Sequence, residues 1–151
     1  MASTDAQASM EKEILGTPIT QVVALTAANL QAMYATPVLV VPAVSNKAIV
    51  VNSVEFVITR TATAFTSGGV VAVQYNSTAN GAGTSVQSST IAASVVTGAA
   101  GTTYTVRPPA TLSDIATASI KGIGLYISNA TAAFATGTGT AVLRVTYRLI
   151  D

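Results

Sequence analysis

The chain has 151 residues, of which 9% are charged and 50% apolar, with a net charge of +1 and neither cysteine nor histidine. Soluble domains ordinarily carry about 25% charged residues, so Thr, Ser, Ala and Gly must cover much of this exterior. The composition rules out a disulfide scaffold, a thiolate nucleophile, a Ser-His-Asp triad and the common zinc sites, and it argues against a basic surface for nucleic acid.

A chain of this length buries about 68–70% of its unfolded surface, enough for one real core. Residues 1–13 (MASTDAQASMEKE) are polar and aperiodic and hold half of the acidic residues, Asp5, Glu11 and Glu13. They predict an arm or short terminal helix, and they lack the basic start and apolar run of a secretory signal. Met10, Ile14 and Leu15 give the arm an apolar tip ahead of Gly16 and Pro18, as if it docks on something. The expected division is an N-terminal arm over residues 1–18 and a single β-domain over residues 19–151.

Ile19–Leu25 alternates, with Ile19, Gln21, Val23 and Leu25 on one side. Thr26 is a candidate N-cap for a short helix over 27–34, whose Leu30, Met33 and Tyr34 form one stripe, read as a lid over the end of the β-domain. Pro37 ends it, because the residue before a proline is pushed out of the α region. Val38–Val41 is the next strand and Ser45-Asn46-Lys47 a turn. Ala48–Arg60 is the longest strand, with Val50, Val54, Phe56 and Ile58 assigned to one face and Ser53, Glu55 and Thr59 to the other.

Val70–Tyr75 follows the Ser67-Gly68-Gly69 turn, and Asn80-Gly81 is a hairpin signal. Residues 84–101 read as a weak strand and loops. Tyr104–Arg107 reads as a short extended piece and Thr111–Ile115 as one helical turn. Two clear strands close the chain, Gly122–Ser128 and Thr140–Ile150, joined through the Gly-rich Thr136–Thr140. The second sends Leu143, Val145, Tyr147 and Leu149 inward and Arg144, Thr146 and Arg148 outward. No internal repeat is evident. The pattern predicts an all-β jelly-roll or Greek-key sandwich of about eight strands with one short helix and an N-terminal arm.

Little here can do chemistry. Outside the arm the carboxylates are Glu55, Asp114 and Asp151, and no two have a spacing that suggests an acid–base pair. Neither Gly-rich piece, 81–83 or 137–139, precedes a Lys and a helix, so no phosphate cradle is expected. No catalytic, cofactor or metal site and no small-molecule substrate is expected, and no apolar run approaches the roughly 20 residues that span a bilayer. Arg144 and Arg148, four apart on one strand face, fit either a solvated face paired with Glu55 or a guanidinium pair meeting acidic groups on a partner.

Residues 24–51, ALTAANLQAMYATPVLVVPAVSNKAIVV, resemble the opening of small jelly-roll proteins encoded near the head genes of tailed bacteriophages. Those proteins run through a short helix, a Thr-Pro, an apolar strand ending in Pro-Ala, then a Lys and a β-branched strand. Residues 137–151, GTGTAVLRVTYRLID, resemble their last hairpin. Val44-Ser45-Asn46 departs from the pattern, which has a Gly-rich turn there. The resemblance implies a capsid decoration, or cement, protein: a homotrimer on the outer surface of an icosahedral head, assembled in the host cytoplasm and binding the major capsid protein. Met10, Ile14, Leu15, Arg144 and Arg148 are then the candidate interface residues. A head fibre, tail or baseplate component, or a carbohydrate-binding module for host attachment, are the alternatives.

Overall fold

Antiparallel pairing between segments far apart in sequence sets the architecture. A computed structural model describes residues 16–110 and 117–151. In order the chain forms β1 (Ile19–Leu25), α1 (Ala27–Ala32), β2 (Val38–Val41), β3 (Ala48–Arg60), β4 (Phe65–Ser67) and β5 (Val71–Tyr75). There follow α2 (Ala93–Thr97), β6 (Gly101–Arg107), a 3-10 turn at Thr117–Ser119, β7 (Leu125–Asn129), β8 (Phe134–Thr136) and β9 (Thr140–Ile150). The first sheet has the order β1-β9-β3-β6, the second β2-β7-β5, and β4 pairs with β8 alone.

The segment 84–91 completes the second sheet irregularly. It bridges β5 at Gln74↔Ser85 and Val71↔Ile91, and where its ladder is interrupted the Gln87 side-chain oxygen accepts from Val73 N at 3.1 Å. The nested antiparallel pairs are therefore β1 with β9, β2 with β7, β3 with β6, and β5 with 84–91, while β3 also pairs with β9 and β5 with β7 to join them into the two sheets. One long hairpin folded over and wrapped into two layers pairs its strands in this nested way. The domain is a jelly-roll sandwich, as the alternation predicts.

The core lies between the layers: Val54, Phe56 and Ile58 of β3 and Leu143 and Val145 of β9 meet Val71 and Val73 of β5 and Leu125 and Ile127 of β7, all fully buried. Tyr75 ties the layers together, its hydroxyl donating to Ile49 O at 2.6 Å. The short helix begins where expected. Thr26 Oγ1 accepts from Asn29 N at 3.2 Å and Asn29 Oδ1 from Thr26 N at 2.9 Å, a capping box with Asn in the usual Glu position. Leu30 and Met33 are buried beneath it.

Nine strands form among the described residues, in line with the predicted eight or so. Three readings need correction. A second helix, α2, occupies part of the supposed weak-strand region, with Arg60 donating to Ala99 O at 2.6 Å and to Val95 O near the helix's end. β3 carries a β-bulge between Val51 and Ser53, and the extra residue inverts the alternation. Ile49 and Val51 are thus buried before the bulge, while Val50, assigned inward from its spacing, sits half-buried opposite Arg148. The predicted turn at Thr111–Ile115 lies outside the described residues.

The third correction concerns repetition. Phe65-Thr66-Ser67-Gly68 and Phe134-Ala135-Thr136-Gly137 share one pattern, and the structure pairs them antiparallel with Phe65 opposite Thr136 and Ser67 opposite Phe134. Each phenyl ring lies over the other segment's glycine: a Cβ on Gly68 would stand 2.1 Å from Phe134 Cδ1, and one on Gly137 2.4 Å from Phe65 Cδ1. Both glycines hold positive φ, +83° and +79°, where a side chain is strained. The rings meet edge to face, centroids 6.4 Å apart. This reciprocal clasp joins the crossing from β3 to β5 with the crossing from β7 to β9.

Candidate functional site

The two faces that point away from the core differ. On the second sheet the chain roofs part of its own surface. Ser128 Oγ donates to Met33 O at 3.0 Å and accepts from Gly81 N at 3.1 Å. Buried Gln74 donates to Thr78 O at 2.7 Å and accepts from Gly83 N at 3.2 Å. The α1–β2 connection and the 76–83 loop thus cover this face, and Asn80 and Gly81, both at positive φ, turn the loop.

No described segment covers the outer face of the first sheet. Its register aligns outward residues across all four strands: Val22, Arg144, Glu55 and Val106 in one row, and Ala24, Val142, Val57 and Tyr104 in the next. Val22 is 53% exposed, Tyr104 57%, Val106 44% and Val142 36%. These are four of the eight large apolar residues most open to solvent in the described structure, gathered on one surface. Threonine hydroxyl pairs frame it, Thr20 with Thr146 at 3.1 Å and Thr59 with Thr102 at 3.2 Å.

Among the described residues, charge on this face is confined to Glu55, Arg144 and Arg148. The Tyr104 hydroxyl donates to Glu55 Oε1 at 2.6 Å, and that bond holds the phenol above its ordinary pKa of 10.0. Arg144 is the cross-strand neighbour of Glu55, but the pairing foreseen between them does not close. The single ion pair among the described residues joins Lys47 to Asp151, and it holds the Asp151 carboxyl below the usual carboxylate range. Arg144 and Arg148 point outward and exposed, as alternation predicts.

Met10, Ile14 and Leu15 lie outside the described residues, so of the predicted interface residues only Arg144 and Arg148 are placed, on one face of the central strand β9. The apolar surround of Arg144 was not anticipated. Its signal was present in the sequence, since the outward phase of β1 and β9 carries Val22, Ala24 and Val142, where a solvated strand carries polar residues. Among the described residues no group of three or more Asp, Glu, His or Cys gathers as metal ligands would. Asn129, in an apparent glycosylation tripeptide, is fully buried. Comparison with protein-family models, curated proteins and solved structures found no match.

Proposed function

We propose that the chain is a non-enzymatic structural protein of a virion: a decoration protein that sits as a homotrimer on the outside of an icosahedral phage head and joins neighbouring major capsid subunits. The observation that carries this reading is the open, apolar and sparsely charged outer face of the first sheet, on a jelly roll that covers part of its opposite face with its own loops. A contiguous exposed apolar surface marks an interaction site, and the resemblance of residues 24–51 and 137–151 to small jelly-roll proteins encoded near phage head genes supports a partner in the virion. The near absence of titratable groups supports a role without acid–base chemistry. Repetition over a shell turns modest contacts into large collective stability through avidity.

The arm belongs to the same reading. Ordering its backbone costs about 1–2 kcal/mol per residue, so it attaches only where Met10, Ile14 and Leu15 bury apolar surface on a neighbour. The test is co-expression with a major capsid protein from the same genome, followed by sedimentation of the heads. Co-sedimentation at a fixed ratio to the capsid protein is expected, and deletion of residues 1–15 should lower that ratio without changing thermal unfolding of the domain. Heads that exclude the full chain contradict the reading, and specific retention on a glycan array would redirect it to carbohydrate binding.

A further inference from the structure

We infer that the outer face of the β1-β9-β3-β6 sheet is where copies of this chain dock on one another, with Arg144 of one copy meeting Glu55 of the next. Such docking presupposes the self-association proposed above and adds the surface and the contact that carry it.

Three features select a second copy as the occupant. First, the face complements itself in charge. Arg144 and Glu55 stand side by side at its centre, without an ion pair between them. The same face on another copy offers each of them the opposite sign. A partner of one sign would repel one of the two, and a wholly apolar partner would bury two charges that form no ion pair with each other, which is costly. Second, the surroundings suit a dry contact: Val22, Val142, Tyr104 and Val106 enclose the pair, and the framing threonines supply a polar rim. Four strands about 4.8 Å apart and six residues at about 3.4 Å each give a surface roughly 19 by 20 Å. That is the scale of the apolar centre of a standard interface, which buries about 800 Å² per partner. Third, the 84–91 strand and the 76–83 loop lie on the other layer, so three copies can turn these faces towards a common axis without displacing a described loop, Arg144 of each meeting Glu55 of the next head to tail.

The experiment is sedimentation velocity on the full chain as wild type, R144E, E55R, the R144E/E55R double variant and V22K. Circular dichroism and thermal unfolding of each variant establish that it is folded. Wild type is expected to associate at micromolar concentration. Each single charge reversal should weaken association about tenfold or more, the double variant should recover most of it, and V22K should weaken it through the apolar part alone. V22K lies on an edge strand and keeps the test informative if a charge reversal disturbs folding. Wild type sedimenting as a single chain overturns the docking and the trimer together, leaving head co-sedimentation to decide the capsid role. An associating wild type whose folded single variants associate equally well overturns this surface and leaves the trimer standing. A double variant no better than the singles overturns the Arg144–Glu55 contact.

Discussion

Tyr75 links the two sheets through a single hydroxyl, donated to Ile49 O and almost fully buried. Burial pushes its pKa up from 10.0 to about 12. A folded-state value above the unfolded one means that the contribution is fully present below pH 10 and is lost as pH rises toward about 12. Two pH units correspond to about 3 kcal/mol at most. Urea midpoints measured across that range should fall, and the fall should be shallower in Tyr75→Phe, which starts about 1–2 kcal/mol less stable for want of the bond. An equal slope in both proteins would assign the alkaline loss to other groups. The clasp glycines are the second residue-scale test. Gly68→Ala or Gly137→Ala meets both a positive φ and a phenyl ring, so each should cost about 2–4 kcal/mol, roughly 5–15 °C in Tm. A change of a degree or less would mean that the rings give way freely.

At the scale of elements, α1 shows what could be read in advance. Thr26 closes the helix start through its bonds with Asn29, and Thr26→Ala should lower the urea midpoint by the equivalent of about 1 kcal/mol with an unchanged m-value. An unaltered midpoint would show that burial of Leu30 and Met33 holds the helix without its cap. The cap was legible because it is local, and so were the β9 and β1 alternations. The bulge in β3 was not: Ile49 and Val50 are equally apolar within Ala48-Ile49-Val50-Val51, and only pairing with Tyr147 and Arg148 on β9 decides which residues face inward. Helix α2 was equally hidden, since Ala93–Thr97 is too short to show a period and its end is held by Arg60, more than thirty residues earlier in the chain. The Phe-Gly clasp left a trace in the repeated Phe-x-Ser/Thr-Gly, but four residues acquire meaning as a repeat only when the fold lays one copy against the other. The same holds for the candidate site. Arg144 and Arg148 could be placed on an outward face from β9 alone, whereas the company of Val106 and Tyr104 depends on the long-range pairing of β3 with β6.

For the whole molecule, nested pairing produces a sandwich with unequal exteriors. One layer is partly roofed by its own connections, and the other presents a sheet whose outward residues are about half apolar, with Glu55, Arg144 and Arg148 as its charged groups. A solitary domain with 9% charged residues and such a face would expose an apolar surface to water with little to offset it, whereas a building block turns that surface into contact area. The same economy of charge suits the chain to the packing between copies proposed above. Light scattering on the purified full chain at micromolar concentration tests this most directly. The expected result is a stable particle of three times the 15.1 kDa chain mass; a single-chain mass that persists as concentration rises would contradict it.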